Sequence, residues 1–420
     1  MRVLWFTSSS SLFPPDKGKN VLGGWVSSLQ REIEKCHEIE LGIAFFHENY
    51  RNQLVQNGVK YYPIFKKKSW SIMRVLGNWN HGKNEIKYVT HFINIIDDFK
   101  PDVIQVFGTE RSFGLVVHHT KIPVAVHIQG FVNPCLNAWY CPGISTINVL
   151  LNESILEFIK GHGVIHDYIK AKVKAKQEKL IISNVKYFMG RTHWDKNLTH
   201  ILAPSAKYFH IDEMLRPSFY FDTDRCLNYS NCFTIVSILS RRLYKGLDLV
   251  FNTLKILNKL PDFEYKWQIF GIDEGSRIVK LLKGKSLNLD KNCIEYHGRT
   301  SEKGIYNALI NADVFVHPSY IENSPNSVCE AQLIGLPVIA TNVGGLASII
   351  NHNRDGILVP ANDPYALAHQ LIEFKNNPQR ALSIGKAGRE KAKLRHNKEK
   401  IIQSLLDTYT YIIKDVIKKE

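Results

Sequence analysis

Two carboxylates, Glu322 and Glu330, flank the seven-residue stretch NSPNSVC. The loop between them is rich in Asn, Ser and Pro. It offers backbone N–H groups and short side chains, among them Ser324, Asn326 and Ser327, to a closely approaching ligand. Glu330 opens an apolar, helical-looking segment and reads as a first-turn residue. A fixed carboxylate there can accept two hydrogen bonds from vicinal hydroxyls, which suits a ribose. Glu322, at the loop's start, would face another part of the same ligand, such as sugar hydroxyls. Taken alone, the pair also fits a dipole-favoured helix glutamate and a solvent-exposed loop glutamate.

A second cluster, SRRLYKG (240–246), follows an apolar run and precedes a helical pattern. Arg241, Arg242 and Lys245 would lie at a helix start, where anions are favoured and where an arginine and a lysine together can hold a diphosphate. Surface cations usually sit at the other end of a helix, which weighs against plain solvated charge. GRTSEKG (298–304) adds Arg299 at a similar position.

These residues need a frame that brings strand ends together. Strand and helix signals alternate along the chain. In the first half strands read at RVLWFT, IELGIAFF, PDVIQVFG, IPVAVHIQ and VKYFMG, and in the second at FTIVSIL, YKWQIFG, IEYHG, DVFVHPS, PVIATN and GILVP. Helices read at 84–99, with Ile86, Val89, Phe92, Ile93, Ile96 and Phe99 on one face, and at 247–260 and 364–375. Alternating apolar strands and helices predict an α/β protein with two doubly wound, Rossmann-like domains facing across a cleft. Ligands of such sheets sit at the carboxyl ends of the strands, where the clusters above fall. The aperiodic stretch 216–232 marks the break. It divides a domain over 1–220 from a domain over 221–395, followed by a helix over 396–420 that could pack back on the first domain.

The chain has 420 residues, 44% hydrophobic and 11% aromatic, which excludes a disordered protein and favours two domains. No apolar run approaches the roughly 18 residues of a membrane span, and MRVLWFTSSS reads as a first strand. Seven scattered cysteines without C-x-x-C spacing point away from a disulfide framework or zinc site and towards a reducing cytosol. Cys135 and Cys141 read as free thiols. HGVIH (162–166) reads as surface histidines and not as a metal site. A net charge of +15 invites an anionic partner. The lysine-rich stretch 167–180 is either a solvated helix face or a contact with an anionic bilayer. Recognised nucleic-acid motifs are lacking, so nucleic acid is not expected as a partner.

The block from Phe233 to about Lys393 closely resembles family 4 glycosyltransferases of the GT-B fold. The resemblance is carried by Glu322, seven residues, Glu330 and Ala331, then GLPVIAT, with SRRLYKG matching the family's phosphate motif and VGG, DGILV and NDPYALAHQL following. It implies a nucleotide-diphosphate-sugar donor, with Glu330 on the ribose, Arg241 and Lys245 on the diphosphate and Glu322 on the donor sugar. In the first half, Gly23 and Gly24 match a Gly-rich turn, and His127 stands where the family often has a histidine near the transferred sugar. Arg191, His193 and Asp195 lie in FMGRTHWDKN without assigned roles. The family's N-G-V-D connector is replaced here by LRPSFYF.

The resulting expectation is a retaining glycosyltransferase that moves a hexose-type sugar to a glycan or lipid-linked acceptor in bacterial surface polysaccharide synthesis. It would be cytoplasmic or peripheral on the inner face of the cell membrane, with no cofactor and no metal. Its catalytic set would be Glu322, His127, Lys245 and Arg241. Its donor-binding set would be Gly23, Gly24, Arg242, Arg299, Ser324, Asn326, Ser327 and Glu330. The rivals are a nucleotide-sugar epimerase and a non-catalytic nucleotide-sugar or glycan binder.

Overall fold

A computed structural model describes residues 1–16, 24–66, 72–79, 83–221, 232–261, 263–283 and 293–418. The chain forms two compact units. The first comprises Met1–Leu136, Glu153–Met214 and Asn397–Glu420, and the second comprises Asn137–Asn152 and Leu215–His396. The second unit thus starts a few residues before the break read at 220, and it takes in a short segment from the first half.

Among the described residues the first unit is built on eight strands: β1 (Arg2–Thr7), β2 (Glu40–His47), β3 (Leu54–Gln56), β4 (Val59–Phe65), β5 (Val103–Phe107), β6 (Val124–His127), β7 (Tyr187–Gly190) and β8 (Lys207–His210). Their order is β3-β4-β2-β1-β5-β6-β7-β8, parallel throughout except for the β3–β4 hairpin. β5 and β7 are buried along their whole length, which is why they read as unbroken apolar runs. The sequence reading misses β3, β4 and β8. The first two are signalled by Asn57-Gly58, both at positive φ, in a two-residue hairpin turn. β8, KYFH, is only partly buried and carries no such signal.

Among its described residues the second unit has six parallel strands: β9 (Phe233–Ile238), β10 (Tyr265–Phe270), β11 (Ile294–Gly298), β12 (Val314–His317), β13 (Val338–Thr341) and β14 (Ile357–Val359), in the order β11-β10-β9-β12-β13-β14. The change of direction at β9 places the ends of β9 and β12 side by side. One core of this unit runs through Val236, Phe315, Val328, Ala331, Leu333 and Val338, so the helix Asn326–Leu333 is fixed on the sheet by its apolar face.

One expected helix is divided. Over 84–99 the chain forms a 3-10 turn, Lys83–Tyr88, before the helix Val89–Phe99, and Ile86 is exposed. The tail forms two helices, Pro378–Arg395 and Lys398–Ile417, because the Asn397 side chain caps the second by accepting from the Lys400 N–H. The second helix belongs to the first unit. Its Tyr409 hydroxyl accepts from Trp5 Nε1 at 3.0 Å and donates to Gln105 Oε1.

Candidate functional site

In the second unit the turn after β9 runs through a short 3-10 helix, Leu243–Lys245, into the helix Leu247–Leu257. Gly246 joins them at φ +79, and a Cβ there would collide with the carbonyl of Pro318, which follows β12. The Tyr320 N–H donates to the Tyr244 carbonyl at 2.8 Å. The loops that follow β9 and β12 are therefore locked together by backbone contacts.

That lock brings Lys245 and Glu322 into an ion pair across 77 residues of sequence. His317, at the end of β12, adds its Nε2 at 3.3 Å from the same Glu322 oxygen, and Ser319 Oγ lies 3.1 Å from that nitrogen. Burial works against the Glu322 charge, but the Lys245 ammonium and the His317 contact outweigh it and hold the carboxyl down at about 2. The VGG turn holds the main chain of this glutamate. Gly345 donates to the Glu322 carbonyl at 3.0 Å, and Gly344, at φ +53, leaves no room for a Cβ beside the same oxygen. A cation and an ionised carboxylate thus stand together at the strand ends, able to face an anion and hydroxyl groups.

Glu330 sits in the second turn of the helix Asn326–Leu333, not the first, and it is buried. Both its oxygens accept from Arg216, at 2.6 and 2.7 Å, in a bidentate pair. Burial raises the Glu330 pKa and the guanidinium opposes that rise. Each oxygen keeps further lone-pair capacity for a hydroxyl donor. The sequence reading misses Arg216, which lies 114 residues away in the aperiodic break.

Asn326 and Ser327 are the first two residues of that helix. Ser324 is buried, with Arg395 Nη2 at 3.3 Å from its hydroxyl and the Cys329 sulfur at 3.8 Å. The two arginines diverge. Arg241 is exposed and pairs with Asp273, whereas the Arg242 guanidinium lies 5.5 Å from the centre of the Trp139 ring. Trp139 also meets Tyr244, at 5.9 Å between ring centres. It comes from the Asn137–Asn152 segment, whose Cys141 is a buried free thiol hydrogen-bonded to Asp248. No motif marked Trp139. Arg299 is exposed after β11.

In the first unit the expected residues fall differently. Gly23 lies outside the described residues, and Gly24 caps the helix Trp25–Ile33 with extended backbone. His127 ends β6 and is fully buried between Trp25 and Phe107, with Gln105 Nε2 at 3.0 Å from its Nδ1. Burial, joined by the nearby Arg191 charge, pushes its imidazole down to about 3. Arg191 is itself buried, donating to the carbonyls of Ile128 and Gln129 at 3.2 Å. Asp195 forms a capping box with Thr192, and His193 is exposed. Glu178, on the lysine-rich helix, is buried and accepts from Thr109, Val132 and Asn133, so it fixes the loops after β5 and β6.

Residues 227–391 match the family model described as glycosyl transferases group 1. The putative colanic acid biosynthesis glycosyltransferase WcaL of Salmonella typhimurium is 29% identical over 184 residues, 41% of this chain and 45% of that protein. The amylovoran biosynthesis glycosyltransferase AmsK of Erwinia amylovora is 27% identical over 170 residues, 39% of this chain and 41% of that protein. The match thus spans less than half the length of these curated relatives. Among solved structures, sucrose-phosphate synthase from Thermosynechococcus elongatus has a TM-score of 0.74 at 15% identity, covering 99% of this chain and 100% of that one. HepE of Anabaena, solved with UDP and glucose, has a TM-score of 0.65 at 13% identity, covering 98% and 100%. Residues 227–391 are thus similar to the group 1 glycosyl transferases, and the two parallel-sheet units have the GT-B fold.

Proposed function

We propose that this protein is a retaining glycosyltransferase that moves a hexose-type sugar from a nucleotide-diphosphate sugar to a glycan or lipid-linked acceptor in bacterial surface polysaccharide synthesis. The observation that carries this reading is the cluster of Lys245, Glu322 and His317 where β9 and β12 end, with Glu330 one helix turn deeper. The names of WcaL and AmsK support the pathway class, and the UDP held by HepE supports the donor class.

In this reading the second unit holds the donor. Glu330, steadied by Arg216, accepts from ribose hydroxyls, and Glu322 accepts from the sugar. As the bond from the anomeric carbon to the diphosphate breaks, negative charge grows on the leaving phosphate, and Lys245 meets it. The acceptor oxygen bonds the anomeric carbon on the same face, and its proton passes to the leaving phosphate. No residue serves as a covalent nucleophile, and neither a metal nor a cofactor is invoked. The His127 imidazole, kept neutral by burial, is placed near the transferred sugar only by family resemblance.

A thermal-shift screen against UDP, GDP and ADP sugars tests the donor class, since a ligand raises the melting temperature with the logarithm of its concentration. One nucleotide should stand out, and its sugar should be consumed only with an acceptor present. Consumption without acceptor, yielding an isomeric nucleotide sugar, would identify an epimerase instead. Binding of a donor that is never consumed would identify a non-catalytic binder.

A further inference from the structure

Large aliphatic side chains on a soluble surface normally stand singly. The first unit departs from this on the helix Ile155–Ile159, where Ile155 is 77% exposed, Leu156 68% and Ile159 56%. Trp79, 44% exposed, joins them from the helix Ile72–Trp79, with its indole N–H donating to the Ile159 carbonyl at 2.9 Å. Beneath them the packing is firm. Trp79 meets Phe158 and His166 edge-on at 5.8 and 4.6 Å, and His166 Nε2 lies 3.0 Å from the Phe158 carbonyl. His166 is therefore a buried support and not the surface residue that its sequence suggests. Just upstream, the helix Thr146–Asn152, counted in the second unit, exposes Ile147, Leu150 and Leu151 while burying Val149.

Positive charge accompanies these apolar groups. Lys160 is exposed at the end of the same helix. The helix Val164–Ile182 then exposes Lys172, Lys176, Lys179 and Leu180, spaced i, i+4, i+7 and i+8, and turns Ala171, Ala175 and Glu178 inwards. Lys170 and Lys174 lie off this stripe and are partly covered. Nearby acids are partly spent inside the fold: Glu153 accepts from the Val164 N–H at 2.6 Å, and Glu178 is buried. No described helix is long and apolar enough to cross a membrane. Short apolar faces beside lysines, with a tryptophan whose ring is half covered, suit the boundary between lipid headgroups and acyl chains.

We propose that Trp79, Ile155, Leu156 and Ile159 form an interfacial anchor that seats this unit on an anionic lipid bilayer, with Lys160 and the Lys172, Lys176 and Lys179 stripe supplying the electrostatic attraction. The occupant is the bilayer because only a negatively charged apolar surface answers both features. Docking is independent of donor chemistry, so it can fail while donor binding holds, and the reverse.

The test is co-sedimentation of the full chain with vesicles of phosphatidylglycerol and phosphatidylcholine, against phosphatidylcholine alone. Wild type should sediment with the anionic vesicles and lose that binding as salt shrinks the Debye length from about 10 Å at 0.1 M to about 3 Å at 1 M. The variant I155S/L156S/I159S should bind at least about tenfold more weakly, with an unchanged melting temperature. K172Q/K176Q/K179Q should also bind more weakly and lose most of the salt dependence. Should the serine variant fail to fold, W79F decides: the tryptophan emission lost in W79F should shift to the blue on adding anionic vesicles. Equal sedimentation of wild type and serine variant, or no shift from Trp79, overturns the proposal. So does wild-type self-association without lipid that the serine substitutions abolish, which would assign the surface to a second copy of the chain.

Discussion

The two units meet the same architectural problem at their strand ends and solve it with different chemistry. In the first, β6 ends in a histidine walled by Trp25 and Phe107 and kept neutral. In the second, β12 ends in a histidine that leans on an ionised carboxylate, itself paired with a lysine. Aromatic enclosure keeps the first histidine neutral. Ion pairing leaves the second strand end charged. Parallel sheets with similar strand ends thus differ in what they can bind, and the difference lies in the residues that follow each strand.

The strongest way to break the contrast is Arg216→Ala. It leaves the Glu330 carboxylate buried without its bidentate partner, and such losses cost about 3–5 kcal/mol. Denaturant unfolding should show that loss, and an unchanged midpoint would mean that Glu330 is not held as an ion. Next is Lys245→Ala. If the lysine meets charge on the leaving phosphate, kcat should fall by about 2.7–4 kcal/mol in barrier terms with donor KM little changed. A rise in KM at constant kcat would make it a binding residue only.

Acid separates the units more finely. His127 is pushed from 6.5 to about 3 in the fold, so the unfolded chain takes up its proton first and stability falls as pH drops from about 6.5 towards 3. Glu322 is held at about 2 against 4.5, so its contribution is complete above about 4.5 and is lost as pH falls towards 2. Each slope has a ceiling of about 1.4 kcal/mol per pH unit. His127→Gln should flatten the upper window and Glu322→Gln the lower, as read by unfolding at a series of pH values. A single window removed by either substitution would erase the distinction. The smallest effect is expected at Arg241. Its pair with Asp273 is exposed, and Arg241→Ala should change stability by about 0–1 kcal/mol, checked in a double-mutant cycle with Asp273→Ala.

Much of this arrangement is legible in the sequence. Apolar runs bounded by turns give every strand of the second sheet, because parallel strands covered on both faces need no polar alternation. Lys245 and Glu322 could be read as neighbours because both follow strands that a doubly wound sheet sets side by side. Arg216 could not, since its partner is distant in sequence and its own surroundings have no periodicity. Nor could Trp139, which lies in the first half of the chain but folds with the second unit. The β3–β4 hairpin does carry a signal in the sequence, the Asn57-Gly58 turn.

The C-terminal helix has a consequence for how the protein is made. Tyr409 binds Trp5 on β1 and Gln105 on β5, so the packing of the first unit is not complete until the helix Lys398–Ile417 has left the ribosome. The second unit takes its residues from Asn137–Asn152 and Leu215–His396. Although domains usually mature in order of synthesis, here the later-encoded unit is free to finish first. Trp5 and Gln105 meanwhile wait for Tyr409 until Lys398–Ile417 arrives.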